Sequence, residues 1–275
     1  MWRAAALALG LSLSLPAAAA ATVPVDLELV LAVDISGSVD EEEALLQRQG
    51  YVAALIHPEV IAAITSGITG RVAMTYIEWA GQNTQRVVVD WTAVGDAETA
   101  RDFASAVASA PFATAHWTSI SGAIDFALPM FETNGYEGTR RVIDLSGDGP
   151  NNSGRLAPEA RDAAVAAGVV VNGLPIINGR LSRWGRIPPI AHLDRYYQDC
   201  VIGGPGAFII VANGFEDFAR AIRRKLILEI ADRQPAPSEQ RASADTPRLW
   251  LAATDPRPPC NIGERQFEMQ MQEMN

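Results

Sequence analysis

Five side chains of this 275-residue chain carry oxygen atoms in a pattern that could bind a metal ion. Asp34, Ser36 and Ser38 alternate along one segment, Thr118 lies in a second segment, and Asp148 lies in a third. Two carboxylates and three hydroxyls form a hard-oxygen set without sulfur or imidazole, which favours Mg²⁺, Mn²⁺ or Ca²⁺ over zinc or copper. Because two carboxylates supply little charge, an ion bound there would stay electrophilic and keep a coordination position open to a further anion.

Apolar runs in the sequence predict the elements that position these side chains. The run LELVLAV at 27–33 ends at Asp34, and the run RVIDL at 141–145 precedes the loop that carries Asp148. Short apolar runs of this kind are typical of buried parallel strands, and ligands of open α/β sheets bind beyond the carboxyl ends of the strands. Thr118 stands just before a helix predicted over 120–131. We therefore expect the three segments to meet at one edge of a sheet.

Strands alternate with helices along the rest of the chain. The short turn at 81–83 predicts an antiparallel hairpin between strands at 71–79 and 85–91. The alternation predicts an α/β fold with a mostly parallel central sheet, one antiparallel edge strand and helices on both faces. Further strands are predicted at 168–174 and 207–212, and further helices begin at Asp40 and cover 96–108, 158–167 and 216–231.

The two ends of the chain differ in composition from the middle. Residues 1–21 combine Arg3, a short apolar run and an alanine-rich stretch, which is typical of a secretory signal peptide, although a buried N-terminal helix is the alternative. Residues 22–232 are then the exported domain, periplasmic or secreted, and residues 233–275 form a proline-rich linker and a tail. No later segment has the length and apolar character of a membrane helix.

The net charge bears on the possible partners, and the cysteine content bears on a possible disulfide. A formal net charge of −10 argues against a protein that binds nucleic acid through its phosphates. Cys200 and Cys260 are the only cysteines, and in an oxidising compartment they are candidates for a disulfide, although two free thiols remain possible.

The oxygen-rich segments resemble the metal-ion-dependent adhesion site (MIDAS) of von Willebrand factor A (vWA) domains. Asp34, Ser36 and Ser38 match the family's Asp-x-Ser-x-Ser motif, Thr118 matches the threonine of its second loop, and Asp148 matches the aspartate of its third loop. The resemblance implies a Rossmann-like three-layer fold over the whole exported domain. It also implies a divalent cation, most readily Mg²⁺ but also Mn²⁺ or Ca²⁺, and a protein partner whose Asp or Glu carboxylate completes the coordination.

Two positions depart from the family pattern. Ser121 stands where the second loop of the family usually has glycine, and Gly147 replaces the threonine before the third-loop aspartate. The chain also resembles an uncharacterised bacterial family of secreted, single-domain vWA-like proteins. These resemblances imply a binding protein rather than an enzyme.

Two other interpretations compete with a metal site. Ser36, Ser38 and Thr118 could only cap helices, which is a common role of serine and threonine. The loop after 145 also resembles that of haloacid-dehalogenase-type phosphatases, so a metal-dependent hydrolase is the alternative function. Those enzymes use Asp-x-Asp where this chain has Ser36, and they need a lysine before the last motif, whereas Lys225 follows Asp148.

Overall fold

A computed structural model describes residues 21–37, 39–178, 189–235 and 257–273. The predicted signal peptide, apart from Ala21, lies outside these ranges, as does the site residue Ser38. The strands are β1 (Val23–Val25), β2 (Leu27–Asp34), β3 (Val72–Trp79), β4 (Gln85–Val94), β5 (Tyr136–Gly138), β6 (Arg141–Gly147) and β7 (Val169–Pro175). The helices are α1 (Glu41–Leu55), α2 (Pro58–Thr65), α3 (Ala97–Ser109), α4 (Ile120–Ala127), α5 (Ala157–Ala166), α6 (Leu193–Tyr196), α7 (Phe218–Ile230) and α8 (Ile262–Glu273). A 3₁₀ turn at Leu128–Glu132 continues α4, and a π-helical turn at Tyr197–Val201 continues α6.

A five-stranded sheet lies at the centre of the fold, in the order β4-β3-β2-β6-β7. Each neighbouring pair is parallel except β3 and β4, which form the predicted antiparallel hairpin at one edge. The short strands β1 and β5 pair separately in parallel. The structure thus confirms the predicted fold class.

Helices cover both faces of the sheet, which explains why β2 is buried along its whole length and mostly apolar. Leu29 and Leu31 pack with α1, α2, α3 and α7 on one face, whereas Val30 and Ala32 pack with α4, α5 and α6 on the other. Because successive side chains of a strand point to opposite faces, a central strand between two helical layers needs apolar residues at nearly every position. None of the helices in the described ranges combines the length and apolar character needed to cross a bilayer.

The predicted strand at 207–212 is the main departure from the expected elements. This segment lies beside β7 but contacts it through isolated bridges, at Ile209 with Gly173 and at Ala212 with Ile176. The amide of Phe208 donates to Oδ1 of Asn172 (2.9 Å) rather than to a backbone carbonyl. A side chain thus replaces one backbone acceptor, and the pairing is not continuous.

Candidate metal centre

Backbone hydrogen bonds join the three oxygen-rich loops at the carboxyl edge of the sheet. The amide of Ala115, in the second loop, donates to the carbonyl of Ile35 in the first loop (3.0 Å). The amide of Asn152, in the third loop, donates to the carbonyl of Thr118 (2.8 Å). Asp148 directly follows β6, which pairs with β2 up to the residue before Asp34. The structure therefore brings Asp34, Thr118 and Asp148 to one end of two neighbouring strands.

Asp34 is the last residue of β2 and is fully buried. Its Oδ1 accepts a hydrogen bond from the amide of Ser36 (2.7 Å). Its Oδ2 is buried and has no hydrogen-bond partner in the part of the chain that the structure describes. A buried carboxylate oxygen without a partner is costly, and cation coordination is one way to offset that cost.

The charge of Asp148 acts directly on Asp34. Burial raises the pKa of Asp34 well above its usual value, and the nearby negative charge of Asp148 raises it further. Hydrogen bonds from Ser36 and from the backbone of Asp148 stabilise the ionised form and offset part of this rise. Asp148 itself accepts from Nδ2 of Asn178 at Oδ2 (3.1 Å). Two close carboxylates of this kind make the site electrostatically favourable for a cation.

Gly147, one of the two departures from the family pattern, lets the side chain of Asp34 approach the backbone closely. A Cβ atom at this position would lie 2.9 Å from Oδ2 of Asp34 and 2.8 Å from the hydroxyl of Tyr197. Both distances are shorter than Cβ contacts normally allow. The close approach of the Asp34 carboxylate and the Tyr197 hydroxyl to the backbone therefore depends on the absence of a side chain at position 147.

Ser121, the other departure, supports the loops. Its amide donates to Oδ1 of Asn151 (3.0 Å), and its hydroxyl lies 3.3 Å from the same oxygen. Asn151 belongs to the third loop and is completely buried. A serine in place of glycine thus links the start of α4 to the loop that carries Asp148.

The helices that follow the first and second loops, α1 and α4, are capped by residues other than the predicted ligands. Ser119 caps α4, with its hydroxyl accepting from the amide of Gly122 (3.0 Å). Asp40 caps α1 through a capping box with Glu43. Thr118 and Ser36 are not the residues that cap these two helices, although both are buried.

The structure describes four of the five predicted ligands. Asp34, Ser36, Thr118 and Asp148 lie in loops that contact one another, whereas Ser38 lies outside the described residues. Within the described ranges, no group of three or more His, Cys, Asp or Glu side chains is placed to hold a metal ion. The predicted set contains two carboxylates, and its remaining ligands are hydroxyls.

Sequence reasoning missed the asparagines that organise the loops. Asn151 and Asn152 follow the Asp-Gly-Pro turn directly, and Asn178 follows β7. Asparagine next to Gly and Pro is a common turn residue, and its side chain readily bonds to nearby backbone. The asparagine pair at 151–152 was therefore the sequence feature that could have indicated residues that organise this loop.

Lys225, which bears on the hydrolase alternative, has a structural role in this fold. It is fully buried on α7, with its Nζ 2.5 Å from Oδ1 of Asp144 and 2.7 Å from Oε1 of Glu229. Its amino group is thus enclosed by the carboxyl groups of Asp144 and Glu229 in the core. The structure gives the phosphatase interpretation no support at this residue.

Comparisons with known proteins place the chain in a family. A family model described as "Protein of unknown function (DUF1194)" matches residues 24–234. A comparison with curated proteins finds no match.

Solved structures of low sequence identity share the fold. Proximal thread matrix protein 1 from the mussel byssus, with a zinc-occupied MIDAS motif, is 16% identical, with a TM-score of 0.52 over 76% of this chain and 49% of that one. The von Willebrand factor type A structure from Catenulispora acidiphila is 14% identical, with a TM-score of 0.51 over 75% and 43%. The pilus adhesin SpaC from Lactobacillus rhamnosus GG is 15% identical, with a TM-score of 0.52 over 75% and 31%. The chain spans less than half the length of each, and the three likenesses show a vWA-like fold.

Proposed function

The chain belongs to the DUF1194 family, and we propose that it is an exported, vWA-like binding protein with a cation site of the MIDAS type. Asp34, Ser36, Ser38, Thr118 and Asp148 would hold the ion. An Asp or Glu carboxylate of a protein partner would complete its coordination. The proposed role is recognition rather than catalysis, and the sequence contains no Gly-x-Ser-x-Gly nucleophile motif.

One observation carries this proposal: Oδ2 of Asp34 is buried beside the charge of Asp148 and has no hydrogen-bond partner among the residues that the structure describes. Without a cation, the two carboxylates repel each other and one carboxylate oxygen remains unsatisfied. A divalent ion relieves both costs. The glycine at 147 allows this oxygen its position against the backbone, because a side chain there would displace it.

The donor set favours Mg²⁺ as the ion, with Mn²⁺ or Ca²⁺ as alternatives. The set offers only carboxylate and hydroxyl oxygens, which hard cations prefer. The byssus protein of similar fold has zinc in its MIDAS motif, and this supports a divalent cation in the present site. With only two anionic ligands, the bound ion would keep enough charge to attract a partner carboxylate.

Export is part of the same proposal. Arg3 and the apolar, alanine-rich run after it support a cleaved signal peptide. The disulfide between Cys200 and Cys260 is consistent with an oxidising compartment, where such bonds persist. Mass spectrometry of protein recovered from the cell envelope should find a mature start near Ala21 or Thr22. An intact Met1 on that protein would overturn the export proposal.

Cation binding by the wild-type chain is the direct test of the site. Calorimetry and thermal melting with millimolar Mg²⁺, Mn²⁺ or Ca²⁺ should show binding and a rise in Tm, because a ligand that binds only the native state stabilises it. A pull-down from envelope extract should recover an acidic protein partner that EDTA releases. No heat of binding and no melting shift with any of the three ions would refute the cation site.

A further inference from the structure

Helix α8 contacts two of the three loops of the candidate site, although it lies outside the region matched by the family model. The sequence predicted only a tail here. Two residues of α8, Glu264 and Phe267, contact the third and the second loop, respectively. These contacts connect the tail to the groups that position Thr118 and Asp148.

The first contact joins α8 to Asn151. Nδ2 of Asn151 donates to Oε1 of Glu264 (2.7 Å). One residue earlier, Gly263 packs so tightly that a Cβ atom there would overlap the carbonyl oxygen of Asn151. The first turn of α8 therefore lies directly against the loop that follows Asp148.

The second contact joins α8 to Trp117, the residue before Thr118. The rings of Trp117 and Phe267 meet edge to face, with centroids 4.6 Å apart. Trp117 has a φ of 71°, in the left-handed region that bulky residues rarely adopt. Such a conformation costs energy and persists only where surrounding contacts stabilise it. The ring of Phe267 supplies one of these contacts.

Asn151 and Trp117 in turn connect to the site itself. Oδ1 of Asn151 accepts from the amide of Ser121, three residues after Thr118. Trp117 precedes Thr118 directly in the chain. Contacts from α8 therefore reach Thr118 from both sides of its loop.

A disulfide fixes the start of this segment. Cys260 is bonded to Cys200, in the π-helical turn that packs in the core beside α5. Nη1 of Arg257 adds an ion pair with Oδ1 of Asp199 (2.7 Å). A tether this close to Ile262 raises the local concentration of α8 at the loops, so a short helix can remain docked there.

We propose that α8 is a positioning element of the candidate cation site, with Glu264 and Phe267 as its positioning residues. They act through Asn151 and Trp117 to fix the loop that carries Thr118. The expected effect of α8 on cation affinity rests on the proposed function, whereas its expected effect on the loops themselves does not require any ion.

The test compares full-length variants with matched controls. Phe267→Ala and Glu264→Ala should each weaken Mn²⁺ binding about tenfold in calorimetry. Two conservative variants should retain wild-type affinity: Phe267→Tyr, which keeps an aromatic ring, and Glu264→Gln, which keeps the acceptor Oε1. Arg265→Ala, at an exposed position of the same helix, should leave affinity unchanged.

Hydrogen exchange without metal separates the two proposals. In the two alanine variants, the amides of Thr118 and Ser121 should exchange at least about tenfold faster, whereas amides of β2 should keep their protection. Unchanged exchange at both loop amides would overturn the positioning role of α8, whether or not the protein binds Mn²⁺. Faster loop exchange in the two alanine variants, together with no Mn²⁺ binding by the wild-type chain, would instead support the role of α8 and refute the proposed cation site.

Discussion

Thr118 and Asn152 form a reciprocal pair of hydrogen bonds across two loops. The amide of Thr118 donates to Oδ1 of Asn152, and the amide of Asn152 donates to the carbonyl of Thr118, both at 2.8 Å. The backbone of Thr118 is therefore fixed without use of its own hydroxyl. This arrangement leaves Oγ1 available for a role in the site.

A valine at position 118 should separate the backbone contact of Thr118 with Asn152 from the role of its hydroxyl in the site. Thr118→Val removes the hydroxyl but keeps the branched shape and the backbone pair with Asn152, so the fold should melt within a few degrees of wild type. Loss of one neutral ligand should weaken Mg²⁺ or Mn²⁺ binding about tenfold, which corresponds to about 1.4 kcal/mol. Thr118→Ser, which keeps a hydroxyl, should bind nearly as the wild type does. Calorimetry decides this, and equal affinities for the valine variant and wild type would exclude Thr118 as a ligand.

Removal of Asp34 should abolish cation-dependent stability. At a hundredfold excess of ion over its Kd, wild type should gain about 2.7 kcal/mol, and Asp34→Ala should gain nothing. The apo variant should remain folded, because the substitution also removes the repulsion with Asp148. Val30→Asp, in the buried core of β2, should unfold the protein with or without ion. A cation-dependent rise in the Tm of Asp34→Ala would contradict the role of this carboxylate.

The sequence was sufficient to predict most of the sheet and the meeting of Asp34 and Asp148 at its carboxyl edge. LELVLAV at 27–33 is apolar on both faces because β2 is central, and that pattern is visible without a structure. Asp34 and Asp148 follow the ends of β2 and β6, so their meeting followed from the rule for parallel sheets.

The supporting residues were not predictable for physical reasons. Asn151 contacts Ser121 and Glu264, which are distant in sequence, so the asparagine pair after the Gly-Pro turn could indicate a role in the loop but not these partners. Helix α8 has little apolar content of its own and stays in place through the Cys200–Cys260 bond and a few contacts. The segment at 207–212 has a strand-like composition, but the Asn172 side chain takes one of its backbone bonds. Tertiary contacts decide all of these features.

Gly147 should be essential for ion binding, whereas Gly149 should not. In Gly147→Ala the new methyl group would lie 2.9 Å from Oδ2 of Asp34, so this carboxylate must move and cation affinity should fall at least tenfold. In Gly149→Ala the nearest atom, Oγ1 of Thr118, is 3.9 Å away, which is an ordinary contact. Calorimetry with Mn²⁺ on both purified variants makes the comparison. Equal affinities for the two would show that the close approach of Asp34 to residue 147 has no role in binding.

The buried cluster of Asp144, Lys225 and Glu229 should make stability depend on pH. Burial, followed by the charge of Glu229, raises the pKa of Asp144 from 3.8 to about 8, although Lys225 acts in the opposite direction. Between these two values the native state binds a proton that the unfolded state has lost. The free energy of unfolding should therefore fall as pH rises from about 4 to 8, by up to ~1.4 kcal/mol per pH unit, and this contribution should then level off.

Asp144→Asn tests this linkage, because asparagine resembles the protonated carboxyl group and leaves Lys225 paired with Glu229. Urea unfolding at pH 4, 7 and 9 should find this variant close to wild type at pH 4 and increasingly more stable than wild type at pH 7 and pH 9. Asp90→Asn, which removes the same charge from an exposed position, is the matched control. If Asp144→Asn loses stability between pH 4 and 9 as steeply as wild type does, then another group accounts for the slope and Asp144 is ionised in the native core at neutral pH.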